Sequence, residues 1–185
     1  AFNASGAWSQ TNEIIFTPGA NAALALVPAS GGTPRPVTTL NAQGGEQLHR
    51  SPAFLPDGRH FLYVAVAGGG NAATQARRAI YAGSVDGDAA ALVLDNASGV
   101  RYSDNHLLFI RETTLLAQPF DAGRLTISGE PRVIAEQVET GGAAASAFTL
   151  SDSGILAYQA AATGGSQLIW FDRQGRQLGT VGDAA

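Results

Sequence analysis

Glu46, His49 and Arg50 place a carboxylate, an imidazole and a guanidinium within five residues, at the start of an apolar segment. Together they could contact a polar or charged ligand. They could equally bond neighbouring structural units to one another, an Arg to a Glu. Arg77 and Arg78 form a second basic pair, in what reads as the longest loop of the chain. Such a pair could bind an anion, or simply mark a solvated loop tip.

The usual signatures of catalysis are missing. No Gly-x-Ser-x-Gly elbow of the kind that α/β-hydrolases need is present. The chain has no Cys, which excludes a thiol nucleophile and a disulfide framework. Its three histidines, His49, His60 and His106, have no metal-ligating partner at short spacing. Asp86-Gly87-Asp88 resembles part of a calcium loop but lacks the further oxygen ligands and the bidentate Glu, so a hairpin turn is expected there. No catalytic residue, metal or cofactor is expected. Asn3-Ala4-Ser5 and Asn96-Ala97-Ser98 match the Asn-x-Ser acceptor pattern for sugar, which reads as coincidence.

Composition narrows the partners. All eleven basic residues are Arg, they are scattered, and the net charge is only −4, so neither a nucleic-acid footprint nor a membrane-binding patch is visible. No apolar run reaches the roughly 20 residues that span a bilayer. A Cys-free chain tolerates an oxidising compartment, and the chain lacks Met and begins at Ala1, which suggests a processed or excised piece. An extracytoplasmic place, periplasmic or cell-surface, is the expectation.

The elements that must position these residues repeat. Ile14-Ile15-Phe16, Phe61-Leu62-Tyr63, Leu107-Leu108-Phe109 and Leu156-Ala157-Tyr158 are apolar strands ending in an aromatic, at intervals of 47, 46 and 49 residues. Each is preceded by an apolar residue and Ser or Pro, namely Trp8-Ser9, Leu55-Pro56, Tyr102-Ser103 and Leu150-Ser151. Between the two lie turn-forming residues: Gln10-Thr11-Asn12, Asp57-Gly58, Asp104-Asn105 and Asp152-Ser153-Gly154. A third strand follows in every unit, Leu24 to Val27, Ile80 to Val85, Leu115 to Phe120 and Leu168 to Phe171. A second turn and a fourth segment follow, near Pro36 to Leu40, Ala91 to Leu94, Val133 to Val138 and Gln177 to Val181. No window has helical spacing with caps, and the stretch Ala72 to Ala79 reads as a loop.

A four-stranded meander recurring at this interval is what propeller blades require, because each sheet buries both faces against its neighbours. The expected fold is therefore an all-β β-propeller, one domain over residues 1–185, with four four-stranded antiparallel blades at about 1–43, 44–97, 98–143 and 144–185. It forms either a complete small ring or an arc of a larger propeller. A β-sandwich would also show short, regularly spaced strands, but it does not need four matched hairpins at one period.

The segment Phe-Leu-Pro-Asp-Gly-Arg-His-Phe-Leu-Tyr, 54–63, resembles the TolB-like, WD-related propeller repeats. Together with Pro-Ala-Ser-Gly-Gly-Thr-Pro at 28–34, Leu-Leu-Ala-Gln-Pro-Phe-Asp at 115–121 and Gln-Leu-Ile-Trp-Phe-Asp-Arg-Gln-Gly at 167–175, it is similar to the propeller regions of bacterial serine/threonine protein kinases. That resemblance implies a kinase domain and commonly a membrane-spanning helix ahead of a sensing or interaction propeller. None of the kinase motifs is present here, and with no Lys the chain cannot supply the kinase strand lysine. Three functions follow as expectations: a non-catalytic protein-interaction or sensor module with an unidentified protein or small-ligand partner; a structural repeat protein whose end blades pair between copies into a homo-oligomer or filament; or the non-catalytic propeller of a prolyl-oligopeptidase-like enzyme.

Overall fold

The computed structural model describes residues 5–68, 76–87, 90–139, 148–151 and 154–161, together with the backbone of the strands at 168–171 and 177–181. Among these residues every regular element is a β-strand, and every strand pairing is antiparallel. The expected turns at Asp152-Ser153 and Asp172 to Gly175, the acceptor Asn3 and the segment 72–75 lie outside the described residues.

The first unit is a meander of β1 (Gly6–Trp8), β2 (Glu13–Phe16), β3 (Ala25–Pro28) and β4 (Arg35–Pro36), paired in that order. The second repeats it with longer strands, β5 (Glu46–Phe54), β6 (His60–Ala67), β7 (Arg77–Ser84) and β8 (Ala91–Asp95). The third contains β9 (Ser98–Ser103), β10 (His106–Arg111) and β11 (Thr114–Asp121). Its β11 pairs both with a short β12 (Thr126–Ile127) and with β13 (Arg132–Ala135). Two separate two-stranded ladders follow, β14 (Phe148–Leu150) with β15 (Leu156–Tyr158), and β16 (Leu168–Phe171) with β17 (Gln177–Val181). The meander is thus seen in two units, with an extra short strand in the third.

The hairpins owe their shape to the turn residues. In three units the same two backbone bonds close the turn. The Ser9, Leu55 and Ser151 N–H groups donate to Glu13, His60 and Ile155 carbonyls, while Asn12, Gly58 and Gly154 donate back to Ser9, Leu55 and Ser151. Asn12, Gly58 and Gly154 all take positive φ, which these residue types tolerate best. Ser9 Oγ and Ser151 Oγ accept the N–H four residues on, and Asp57 Oδ1 accepts two, from Arg59 and His60. The third unit turns on Asp104 and Asn105, both at positive φ, so that Ser103 meets His106 directly. His60 and His106 open the equivalent strands β6 and β10, as the repeat predicts.

Packing explains why these strands read as continuous apolar runs. Side chains alternate between the two faces of a strand, and here both faces are buried. In β6, Phe61, Tyr63 and Ala65 pack with Ile15, Leu24, Leu26 and Val37 of the first unit. Leu62, Val64 and Val66 pack instead with Val100, Leu107 and Phe109 of the third. β10 repeats the division: Leu108 and Ile110 turn to Ala135, Val138 and Phe148. The innermost strands β1, β5, β9 and β14 lie each beside the next. Each apolar layer between sheets is shared by two units, so no unit buries its core alone.

Candidate functional site

Strand alternation separates the residues that the sequence groups together. His49 pairs with Ala65 and Arg50 with Val64, so His49 faces the first unit and Arg50 the third. A bulge follows at Ser51, which takes a positive φ of 53° and whose N–H bonds Ser5 Oγ.

His49 is 1% exposed and fully engaged. Its Nε2 lies 3.1 Å from Glu46 Oε2, and its Nδ1 lies 2.8 Å from Thr38 Oγ1. Thr38 comes from the segment joining β4 to β5, and its hydroxyl oxygen already accepts the Leu24 N–H at 2.9 Å. The network assigns the tautomer: Nε2–H donates to the carboxylate, and Nδ1 accepts the Thr38 proton. Glu46 Oε2 also accepts the Asn41 N–H at 2.7 Å. Burial lowers the His49 pKa, and the hydrogen bond and charge of Glu46 offset this only in part, so the ring is neutral at pH 7. The ring packs 4.7 Å from Tyr63, which stacks on Tyr81 at 5.7 Å and 21°. Burial, then the Glu46 charge and Tyr81, push the Tyr63 phenol well above its ordinary value. Tyr81 shifts the same way, chiefly through burial, with Glu46 and Asp95 adding to it and Arg77 opposing.

Carboxylate, imidazole and hydroxyl in that order form the sequence of an acyl-transfer triad. The surroundings do not suit that chemistry. The ring is sealed, Thr38 Oγ1 is held by a backbone donor as well as by the ring, and neither residue lines the cavity beside Glu46. The arrangement ties the first unit to the second. Nearby, Ser51 N–H, Ser5 Oγ, Thr17 Oγ1 and the His49 carbonyl form a chain of hydrogen bonds with the same effect.

Arg50 is 7% exposed, and among the described residues it has no ion-pair partner. Burial and the neighbouring Arg78 charge lower its pKa to about 10, so it stays protonated near neutrality. The expectation that an Arg and a Glu bond adjacent units is therefore corrected, because Glu46 is spent on His49 and Asn41 on the opposite face. Arg77 and Arg78 are also corrected in place: they belong to strand β7, paired with Ala67 and Val66, not to a loop. Arg77 is exposed, whereas Arg78 Nε is a buried donor with no hydrogen-bond partner among the described residues. Arg101, half-buried on β9, instead donates to the Val100 carbonyl at 2.7 Å.

Among the described residues, clefts border the second unit on both sides. One, about 210 Å³, is bordered by Asn41, Glu46, Arg77, Tyr81 and Asp95. The other, about 440 Å³, lies between the second and third units and is bordered by Arg78, Asn96, Ser98, Ile110, Glu112 and Thr113. Among the described residues no three His, Asp or Glu side chains stand together as metal ligands. Thr38, Asn41 and Glu112 carried no signal in the sequence. The divergence of residues 49 and 50 could have been read from strand alternation.

No protein-family model matches the chain, and no curated protein sequence does. Solved structures do. The chain superposes on a puromycin hydrolase with a TM-score of 0.60 at 18% identity, over 96% of its own length and 30% of that protein. The S511A variant of puromycin hydrolase in complex with PGG gives 0.61 at the same identity and coverage. A puromycin-hydrolyzing peptidase from Mycobacterium tuberculosis gives 0.56 at 15% identity, over 73% of this chain and 24% of that one. At such identity the likeness speaks to fold, an all-β antiparallel architecture of propeller type. The chain spans less than a third of the length of these three solved proteins.

Proposed function

We propose that this chain is the non-catalytic propeller portion of a larger hydrolase of the peptidase kind, a four-bladed arc whose units hold or screen a catalytic domain encoded elsewhere in the same protein. The observation that carries this reading is the superposition of nearly the whole chain on part of two puromycin hydrolase structures. The chemistry of the chain agrees with it. Its Glu46 carboxylate, His49 imidazole and Thr38 hydroxyl are locked together between two units, and it offers no exposed activated nucleophile among the described residues. Propellers present variable loops on a rigid support, which suits access control at a neighbouring site.

The test compares the 185-residue chain with the product of its complete reading frame in a puromycin hydrolysis assay. The chain alone should be inactive and the complete product active. Activity in the isolated chain, or a complete product with no hydrolase domain, overturns the reading. A second reading, an interaction or sensor propeller, is favoured by the Phe54 to Tyr63 motif and its likeness to kinase-linked repeats. A kinase domain in the complete product would select it. Pairing between copies is the third, favoured by the exposed Trp8, 65% accessible, at the edge of the first unit. Sedimentation of the chain as a monomer at all concentrations would remove it.

A further inference from the structure

Two cationic side chains on one face of the second unit have no ion-pair partner among the described residues. Arg50, Val64 and Ile80 form one cross-strand row, and Leu48, Val66 and Arg78 the adjacent row on the same face. Strand spacing and rise put the two arginine backbones about 12 Å apart, within joint reach of one small anion for side chains of this length. The face is the one packed against the third unit, so both charges sit beside an apolar layer. There an unpaired charge is costly, and a bound counter-ion relieves it.

We propose that the cleft between the second and third units binds a monocarboxylate through Arg78, with Arg50 as a second positive charge behind it. Arg78 borders the 440 Å³ cleft, and its Nε has no partner among the described residues. Nε together with the adjacent terminal nitrogen forms the side-on edge of a guanidinium that receives both oxygens of a carboxylate. Asn96, Ser98 and Thr113 border the same cleft as neutral donors, and Ile110 and Ala97 offer a patch for an apolar substituent. Glu112, exposed on the β10–β11 turn at the rim, selects the class of anion. Its charge repels a second negative group, so a singly charged carboxylate is preferred over a phosphate dianion. Arg50 does not border the cleft, and it acts through its field alone.

The site is independent of any attached hydrolase and is tested on the 185-residue chain. Calorimetric titration uses N-acetylglycine, its uncharged amide and inorganic phosphate as probes. The carboxylate should bind, the amide should not, and phosphate should bind more weakly. Arg78→Gln should weaken N-acetylglycine by at least about tenfold, and Arg50→Gln by less, because only the former loses charge-assisted hydrogen bonds. Glu112→Gln should narrow the preference over phosphate. Thermal melts of the ligand-free variants guard against misfolding: Arg78→Gln should melt no lower than the parent, since it removes an unpartnered charge. Equal binding by the amide, undiminished binding in a folded Arg78→Gln, or tighter binding of phosphate each overturns the proposal. So does the absence of any binding by the parent chain.

Discussion

The two faces of the second unit solve the same problem in opposite ways. Towards the first unit, the buried polar residue His49 has a partner for each ring nitrogen, a neutral charge state and an aromatic floor. Towards the third, Arg50 and Arg78 are charged and unpaired among the described residues. A satisfied buried network fixes the position of its elements, whereas an unsatisfied one leaves free energy that a ligand can recover. One face therefore holds the sheets together, and the other is the candidate for recognition.

The largest effect that can break this contrast comes from the apolar layers common to both faces. Phe61 and Phe109 are fully buried on the two sides of the second unit. Phe61→Ala and Phe109→Ala should each cost about 3–5 kcal/mol in chemical denaturation, because neither site can collapse between two sheets. Gly83 sharpens the same point, since a Cβ there would meet Phe61 Cζ at 2.9 Å and Cε2 at 3.1 Å. Gly83→Ala should cost about 1–3 kcal/mol by forcing the ring out of place.

The contrast itself is tested by polar deletions. His49→Ala leaves Glu46 and Thr38 without their ring partner and should destabilise by about 1–3 kcal/mol. Arg50→Met on the opposite face should be neutral or stabilising in the ligand-free chain, because it removes a buried charge without orphaning a partner. Urea midpoints for the two variants decide the matter, and equal losses would erase the distinction between the faces.

A smaller effect appears with pH. The folded His49 pKa lies below the ordinary 6.5, so below that value the unfolded chain takes up a proton that the folded chain refuses. The contribution is complete above pH 6.5 and declines as the pH falls towards the lowered folded value. His49→Gln should flatten the stability profile between pH 7.5 and 5. An unchanged slope would mean that the ring does not carry it.

Much of the architecture was legible in the sequence because it depends on local rules. The strands beginning at His60 and His106, the turns on Asn12, Gly58 and Asp104-Asn105, and the fourth strand from Ala91 all stand where the repeat places them. Turn chemistry and apolar runs act over a few residues, and imperfect copies of one hairpin reinforce one another. Arg77 and Arg78 depart from these local rules. A glycine run and an alanine-rich stretch suggested a loop, yet β7 extends through both arginines. Pairing with Ala67 and Val66 between two neighbouring sheets outweighs weak local propensity.

The residues of Glu46, His49 and Arg50 were found from their types alone, but their meaning was not. Thr38 and Asn41 reach the cluster from a connecting segment with no motif, and Arg78 reaches Arg50's face only through the register of three strands. The sequence by itself determined that the chain forms repeated antiparallel hairpins with both faces apolar, because turn residues and side-chain spacing are local properties. Only the tertiary structure decided which buried polar groups are paired and which are not, because pairing depends on what the neighbouring units bring to each face.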